Sequence, residues 1–495
     1  MRPTTLLLIL SASGGNPCRF AEAFQEAARR AARELGRPGL ATMDASERTC
    51  RRWLDGEQRP RGNAAEVLEH WLGLDLETLL RPLPEPAGVP APVLRPAAEG
   101  AARALDLRFA TSRLSLAPGP GVEGQWALDG LRLLEGTRIV VQPYDGTLTR
   151  EGLRLAESDA EHLAGFTRPL RRALVLGADG ARPGGSVHAL DAVFARQVTA
   201  RALPAAGLVI PAAYRVDDLT YALLWALIVI DDALQADDRA LQAQEAVLDS
   251  LASRPGAAIT SDLVPGLSRA GSMWLGSEAG ARYLTARIPP GSGPVRMWIA
   301  AQTGEQSCGW LLFPARRALL RHLAPGGTAL LNLPETSVKD SEPWERILLL
   351  LTAALLEHHG QAVRINAEPA GNSVDEFVIA AGRAHLAHWT PGDSRTLGRT
   401  ETVPDTVTTQ PFTDALDHAT AHALPAADHP AGRLETLARH LGLDWTWLTG
   451  RCRDLHTTGT TGLLRPRSRL THTGGITDAL AHLAGHADNA ADHHP

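Results

Sequence analysis

The first side chains that could do chemistry stand in the segment from Ser46 to Pro60, S-E-R-T-C-R-R-W-L-D-G-E-Q-R-P. Cys50 and Trp53 are three residues apart and therefore share one face of a helix. The outward face then carries Glu47, Arg48, Arg51 and Arg52. Long basic side chains on an exposed helix face are suited to hydrogen bonds with base edges and to ion pairs with phosphates.

The boundaries of this helix are also marked in the sequence. Ser46 is a suitable N-cap, and Gly56 stands where the C-terminus of a helix favours a left-handed residue. Arg59 and Arg61 follow the helix, where basic groups can contact phosphates. We therefore predict a helix over about residues 46–54. Its structural residues are Cys50, Trp53 and Gly56.

Residues from about 40 to 80 resemble the helix-turn-helix domain of the Cro and phage-repressor (XRE) class. The third helix of that family commonly has a small capping residue, three variable residues, an apolar residue, two variable residues and Trp, followed by Gly and Pro. The resemblance implies that residues 46–54 form a recognition helix in the major groove of double-stranded DNA. The DNA-binding residues it implies are Glu47, Arg48, Arg51, Arg52, Arg59 and Arg61.

The neighbouring segments bear on the same resemblance. The helical spacing of the family's following helix is present in Val67, Leu68, Trp71 and Leu72. Upstream, residues 19–35 predict one amphipathic helix. Gly36, Pro38 and Gly39 interrupt the chain where the family has its short positioning helix.

Residues from about 210 to 390 resemble part of the large C-terminal portion of actinobacterial regulators of this class. The resemblance lies in Y-R-V-D-D-L-T-Y-A-L-L-W-A-L from Tyr214 and in M-W-L-G from Met273. It implies a regulator but names no ligand and no activity.

An acidic motif, D-D-A-L-Q-A-D, is formed by Asp231, Asp232 and Asp237. Some isoprenoid synthases hold magnesium and a diphosphate with this spacing, but such sites need a second acidic motif on a facing helix. The chain has no second D-D-x-x-D motif. We therefore expect an Asp-rich helix end that faces solvent and no magnesium site.

Histidines are concentrated toward the C-terminus, where ten of the 18 lie at or beyond His418. The pairs His418/His422 and His482/His486 have the i, i+4 spacing that can hold a metal on one helix face. Neither pair belongs to an H-E-x-x-H motif, so we attribute them to composition and predict no metal. We expect His358 and His359, at a helix end, to complement the helix dipole.

Other catalytic motifs are missing from the sequence. It contains no G-x-S-x-G, no phosphate-binding glycine loop and no C-x-x-C pair. Tryptophans in residues 273–276, 297–298 and 310–311 could line a ligand pocket, but we expect them in the core. The sequence therefore predicts no catalytic residue and no cofactor.

Composition is that of an ordinary globular chain, with 44% hydrophobic and 21% charged residues over 495 positions. The net charge is -6, yet residues 1–62 contain 11 Arg against 7 acidic residues. Such a modest basic excess needs dimerisation to become a strong DNA-binding surface. The apolar runs are shorter than the ~18 residues of a membrane span, so we expect no membrane partner and a cytoplasmic, nucleoid-associated protein.

The predicted fold class is mainly α with an α+β body, arranged as a helix-turn-helix domain, a Pro-rich linker and a large mixed α/β domain. The predicted boundaries are a DNA-binding domain at 1–81, the linker at 82–96, an effector or dimerisation domain at 97–400, a small helical region at 401–484 and a disordered tail at 485–495.

Within the body, a helix capped by Asp217 or Asp218 is apolar nearly all round and predicts the core helix. Residues 188–203, 315–323 and 344–358 also predict helices. Strands are predicted at 138–142, 174–176, 362–365 and 376–380, and a hairpin is predicted from 295–301 and 310–313.

These observations favour a homodimeric transcriptional regulator that binds double-stranded DNA and responds to an unidentified small-molecule effector. One alternative is a small-molecule sensor or enzyme whose activity lies in the 97–400 body. Another is an intracellular interaction scaffold.

Overall fold

The computed structural model describes residues 17–54, 57–72, 76–80, 113–116, 124–155, 163, 172–179, 186–199, 208–252, 254, 258–300, 303–369, 375–389, 396–424, 427–463 and 465–487. The chain divides into two compact units, Met1–Val93 and Leu94–Pro495. This division falls inside the predicted Pro-rich linker, which itself lies outside the described residues, as do Gly56 and residues 488–495 of the predicted tail.

The regular secondary structure of unit 1 is helical in the described residues. Its α-helices are α1 (Pro17–Glu34), α2 (Glu47–Leu54), α3 (Asn63–Leu72) and α4 (Leu76–Leu80). Phe20, Phe24, Leu40, Cys50 and Leu68 belong to one buried apolar cluster. Phe20 stacks on Trp71 with ring centroids 5.5 Å apart, which joins α1 to α3. The amphipathic pattern predicted for α1 therefore builds a small core of its own.

The connection from α1 to α2 is a loop, where the resemblance implies a short positioning helix. Residues 35–46, all described, contain one turn of 3-10 helix, Pro38–Leu40, and no α-helix. Gly36 adopts a positive φ of 64°, and Pro38 opens the short turn. Gly and Pro at these positions disfavour a continuous helix, so the chain reaches α2 through a loop.

The body combines helices with two sheets and is thus a mixed α and β structure. The strands of the first sheet are β1 (Arg113–Leu116), β2 (Gly124–Leu128), β3 (Thr137–Leu148), β4 (Gly152–Leu155), β5 (Ala173–Asp179), β6 (Val187–Asp191) and β7 (Val209–Pro211). Antiparallel pairing gives the order β1-β2-β3-β4-β7. In addition, β5 pairs parallel with β3 and antiparallel with β6.

The second sheet has the order β11-β10-β9-β12-β13-β14-β8. Its strands are β8 (Ala258–Thr260), β9 (Pro294–Ile299), β10 (Ala324–Asn332), β11 (Gln361–Asn366), β12 (Phe377–Ala380), β13 (Arg383–Trp389) and β14 (Thr396–Thr402). The strands β9, β10 and β11 are parallel, and the other pairs are antiparallel.

Helices supply the rest of the body. They are α5 (Ala192–Thr199), α6 (Asp218–Gln242), α7 (Glu245–Ala252), α8 (Arg269–Arg287), α9 (Gly304–Leu312), α10 (Pro314–His322), α11 (Glu335–Lys339), α12 (Pro343–His358), α13 (Thr406–Ala421), α14 (Pro430–His440), α15 (Trp445–Thr458) and α16 (Gly474–Ala484). The pair α9 and α10 joins β9 to β10, and the pair α11 and α12 joins β10 to β11, as parallel strands require.

Helix α6 is the core helix, as the apolar sequence predicts. Asp217 caps it by accepting a hydrogen bond from the Thr220 amide at 3.1 Å. By length and composition α6 could cross a membrane, but 78% of its most apolar stretch is buried inside the body. Burial by protein explains its composition, because a helix that is covered on all sides is apolar on all sides.

The acidic motif of α6 begins near the middle of the helix, and Asp231 and Asp237 are buried. The expectation of an Asp-rich helix end that faces solvent was therefore wrong. Asp231 is fully buried and forms an ion pair with Arg172, whose Nε also lies 2.7 Å from Asp232 Oδ1. Asp231 further accepts hydrogen bonds from the amides of Arg467 at 2.8 Å and Ser468 at 3.1 Å. These carboxylates are thus engaged by protein groups.

Asp237 is engaged in the same way. It accepts a 2.6 Å hydrogen bond from the hydroxyl of Ser268, the N-cap residue of α8. The acidic motif therefore joins α6 to its neighbours.

Two predicted elements of the body were also wrong. Residues 310–313 belong to the end of α9 and its C-cap, not to a hairpin strand, because Thr303 and Gln306 form a capping box that starts a helix. Residues 187–191 form β6, and the predicted helix begins later, at Ala192, where the Asp191 carboxylate accepts the Val193 amide at 2.9 Å.

The C-terminal helices share the core of the body. Leu434 of α14, Leu448 of α15 and Leu480 of α16 belong to the same buried cluster as α6 and α12. Helices of the region predicted at 401–484 therefore contribute to the core of the body.

Replacing Arg172 with Met should lower the free energy of unfolding by about 3 kcal/mol, because it leaves Asp231 buried without a counter-charge. Replacing Arg439 with Met removes an exposed pair with Glu435, whose side chains are 71% and 45% exposed, and should cost less than about 1 kcal/mol. Urea unfolding of the two full-length variants measures both values. Equal losses would contradict the role of the buried pair.

Candidate functional site

The basic face of α2 is exposed. Arg48, Arg51 and Arg52 line one shallow depression on unit 1 together with Glu47 and Glu57. The remaining predicted DNA contacts, Arg59 and Arg61, are exposed just beyond the helix. All six side chains that the resemblance assigned to DNA are therefore at the surface.

The opposite face of α2 is buried in the core of unit 1. Trp53 is 4% exposed and packs edge-on against Phe24 with ring centroids 5.4 Å apart. The Cys50 thiol lies 3.6 Å from the Ala45 carbonyl oxygen, and burial, assisted by the Asp44 charge, raises its pKa to about 11. Cys50 is thus a packing residue and not a nucleophile.

Both ends of α2 are held by hydrogen bonds. At the start, the Ser46 hydroxyl accepts the Thr49 amide at 3.2 Å, as predicted for an N-cap. At the end, the amides of Glu57 and Gln58 donate to the Arg52 carbonyl oxygen at 2.9 and 3.1 Å. A short helix of eight residues is thereby presented in a defined orientation on its core.

Two of the arginines have acidic neighbours. Arg51 Nη2 lies 3.3 Å from Glu47 Oε1, and Arg52 Nε lies 3.9 Å from Glu57 Oε2. All four side chains are about half exposed, between 48% and 62%. Exposed ion pairs contribute only about 0–1 kcal/mol, so both guanidinium groups can exchange these partners for another anion.

The two histidine pairs singled out in the sequence lie at separate places in the body. His418 and His422 lie beside Glu368 on the surface, with ligand atoms within 4.8 Å of one another. Burial lowers the pKa of His359 to about 4, so this side chain is uncharged at neutral pH and does not complement the helix dipole as predicted. His482 and His486 lie near His358 at the end of α12.

The tryptophan-rich segments lie in the core of the body. Met273, Trp274 and Trp310 are buried in its main apolar cluster. Trp298 belongs to a second cluster with Phe377, on which it stacks with ring centroids 5.8 Å apart.

A cleft of about 570 Å³ opens elsewhere in the body, between the first sheet and α15. Its lining comprises Leu148, Thr149, Glu151, Ser186, His188, Pro211, Ala212, Ala213, Arg215, Arg451, Arg453, Asp454, Thr457 and Thr458. We call it the body cleft. Sequence analysis did not identify it, because its residues come from distant segments that share no motif.

His188 lies at the base of the body cleft and is 1% exposed. Its Nδ1 atom is buried and has no hydrogen-bond partner among the described residues. Burial lowers the pKa of His188 to about 4, and the charges of Arg215 and Arg451 lower it further toward that value. The imidazole is therefore neutral at physiological pH.

Two of the three arginines that line the body cleft lie on one buried carboxylate. Arg451 Nε lies 2.7 Å from Asp217 Oδ2, and its Nη2 donates to the Ala213 carbonyl oxygen at 2.9 Å. Arg215 lies 3.6 Å from the same carboxylate but is 42% exposed. An ordered guanidinium next to an exposed one is an arrangement that can bind a small anion.

Comparison with known proteins gives no relative: no family model, no curated protein and no solved structure matches the chain.

Acidification should destabilise the body partly through His188. The unfolded side chain takes up a proton near pH 6.5, but the folded one does so only near pH 4, so stability falls as the pH drops through this range. The shift corresponds to at most about 3 kcal/mol. Unfolding midpoints measured from pH 7.5 to 4 should fall less steeply for His188→Gln than for the unmodified chain, and parallel curves would exclude this contribution.

Proposed function

We propose that the chain is a sequence-specific, DNA-binding transcriptional regulator in which α2 enters the major groove. The observation that carries this proposal is the arginine face of α2, exposed on one side of a helix whose other side is locked in a core. A protein of this kind would act in the cytoplasm at the nucleoid and as a homodimer. Two copies would double the modest basic excess of unit 1.

The dimensions of α2 suit this role. Eight residues of α-helix span about 12 Å, and the major groove of B-DNA is about 12 Å wide. Arginine on such a helix pairs with guanine through two hydrogen bonds, and a carboxylate can accept a hydrogen bond from cytosine. Arg48, Arg51 and Arg52 would supply the first kind of contact, and Glu47 the second.

The loop after α2 would position the helix on the backbone. Arg59 and Arg61 flank the buried Pro60, so both side chains extend outward from a fixed point of the chain. Phosphate contacts fix the register of a protein on DNA without reading sequence. This division of labour makes Arg59 and Arg61 candidates for affinity and α2 the candidate for specificity.

Replacing Arg51 and Arg52 together with Ala should weaken binding to a selected DNA site. If both meet phosphates, the slope of log K against log salt should fall by about 2; if they meet bases, the preference for that site over random DNA should fall instead. The site is first obtained by selecting genomic fragments with the full-length protein. Binding of the unmodified protein and of the double variant to this site is then measured by fluorescence anisotropy at two salt concentrations.

The matched control replaces Arg29 and Arg30 with Ala, which removes the same charge from exposed positions of α1. We expect this variant to keep its preference for the selected site. A loss equal to that of the α2 variant would show that only net charge matters, and unchanged binding of the α2 variant would refute the assignment of α2.

A second candidate function is the binding of a small anion in the body cleft, where it could act as an effector. The specific observation is the 42% exposed guanidinium of Arg215 beside the buried guanidinium of Arg451, both on the Asp217 carboxylate. A bound carboxylate or phosphate would pair with the exposed Arg215, while Arg451 stays held by Asp217. No catalytic residue is assigned to this cleft.

Thermal unfolding with inorganic phosphate, citrate or chloride tests the body cleft. A ligand at 100 times its Kd stabilises the folded protein by about 2.7 kcal/mol, which raises the midpoint. Arg215→Ala should weaken binding about 10-fold by removing one charged hydrogen bond, whereas the distant exposed variant Arg439→Ala should not. No shift with either multivalent anion, or equal shifts in both variants, would remove the cleft as an anion site.

A further inference from the structure

Histidines and one aspartate gather where the end of α12 meets α16. His358 is the last residue of α12, and His359 is its C-cap. Asp478 and His482 lie four residues apart on α16, and His486 follows at the same spacing just beyond it. The two helices pack against each other. The fold thus brings His358 and His359 close to a row of side chains on and just after α16 that can ligate a metal. The two groups are distant in the sequence.

The spacing of the first three side chains fits a metal ion. The potential ligand atoms of His358, His359 and Asp478 all lie within 4.8 Å of one another. His359 Nε2 is 3.7 Å from Asp478 Oδ2, which is too long for a hydrogen bond. Two ligand atoms on a tetrahedral zinc ion lie about 3.4 Å apart when each bond is about 2.0–2.1 Å. Closing around an ion therefore requires only small side-chain movements.

His482 packs beside this trio and would supply the fourth ligand, although its ligand atoms do not lie within 4.8 Å of all three others. Two imidazole rings on one tetrahedral zinc ion have centroids about 5 Å apart, as follows from the same bond lengths. The ring of His358 lies 5.1 Å from that of His359 and 6.0 Å from that of His482. His486 lies 5.0 Å beyond His482 and extends the cluster away from Asp478.

Several of these imidazoles lack a hydrogen-bond partner. The Nε2 atoms of His359, His482 and His486 are buried and have no partner among the described residues. Buried polar atoms in folded proteins are nearly always satisfied, so three neighbouring exceptions call for an explanation. A coordinated cation would satisfy the first two of them together.

Asp478 is already oriented by a second contact. Arg317 Nε lies 2.7 Å from Asp478 Oδ2, and Arg317 Nη2 lies 3.0 Å from Oδ1. Each carboxylate oxygen retains a second lone pair that can bind a metal. Outer contacts of this type hold a ligand in position before the ion arrives.

We propose that His358, His359, Asp478 and His482 bind one zinc ion that fastens α16 to the end of α12. Three imidazole nitrogens and a carboxylate oxygen match the ligands that zinc prefers. All four positions of a tetrahedron are then taken by protein groups, which is the arrangement of a structural and not a catalytic ion. The bound ion stabilises the docking of the C-terminal helix on the core of the body.

The chain provides a matched control in its other histidine cluster. Glu368, His418 and His422 also have ligand atoms within 4.8 Å of one another. His418 and His422 are exposed, however, and His422 Nδ1 is 2.8 Å from the His418 carbonyl oxygen. This cluster therefore has the same residue types without buried, unpartnered nitrogens.

Zinc binding is measured on untagged full-length protein that has been stripped with a chelator, by calorimetric titration with zinc chloride. Two double variants are compared, His358→Gln with His482→Gln and His418→Gln with His422→Gln. Loss of an outer contact alone weakens metal binding about 10- to 100-fold, so loss of two ligands should weaken it at least as much. The unmodified chain and the control should bind one tight equivalent and unfold at higher temperature with zinc.

Cobalt titration provides a readout of ligand geometry, because Co²⁺ in a tetrahedral site absorbs strongly in the visible range. These bands should appear in the unmodified chain and the control and be lost in the single variant His358→Gln. His358 is exposed, so this substitution leaves the core intact even if the double variant fails to fold. Absence of tight binding by the unmodified chain would overturn the proposal, as would a zinc affinity that follows the His418/His422 variant.

Discussion

The buried charge of Asp231 is the constraint on which the body depends. A carboxylate in the middle of an apolar helix is costly to bury unless a counter-charge and hydrogen-bond donors reach it. Burial raises the pKa of Asp231, while Arg172, the Thr471 hydroxyl and the amides of 467 and 468 act in the opposite direction. These donors come from before the first sheet's β5 and from the segment that precedes α16. The charge on α6 therefore fixes where the segment before β5 meets the segment before α16. The apolar remainder of the helix packs around that point.

The same rule holds at other places in the body, at three of which an arginine reaches a buried carboxylate. Arg451 pairs with Asp217, Arg433 with Glu357, and Arg316 with Glu376. Because buried carboxylates are satisfied so consistently, the few buried nitrogens without partners stand out. They include His188 in the body cleft and the imidazoles of the α12–α16 cluster. The imidazole cluster is proposed as a metal site, and the body cleft is proposed as an anion site because of its two arginines on Asp217.

Unit 1 follows a different principle. Its core is formed by apolar and aromatic contacts, and its charges are exposed, with ion pairs that contribute little energy. Stability and the proposed contact surface are thus separated on opposite faces of α2. A change of the outward arginines can alter an interaction without disturbing the fold. The chain reaches this face through a loop with one turn of 3-10 helix, Pro38–Leu40.

The sequence by itself determined the local elements. The cap of α2 at Ser46, its buried Cys50 and Trp53, and the apolar course of α6 follow from spacing along a few turns, and neighbours in the chain are enough to decide them. The sequence also contains the capping box of Thr303 and Gln306. This is a local helix signal, and it contradicts the predicted hairpin. Only the tertiary structure determined the burial and pairing of the acidic motif. The same is true of the grouping of histidines on α12 and α16 and of the lining of the body cleft. Their environments depend on groups that are tens to hundreds of positions away, and burial and pairing across such distances leave no pattern in the local sequence.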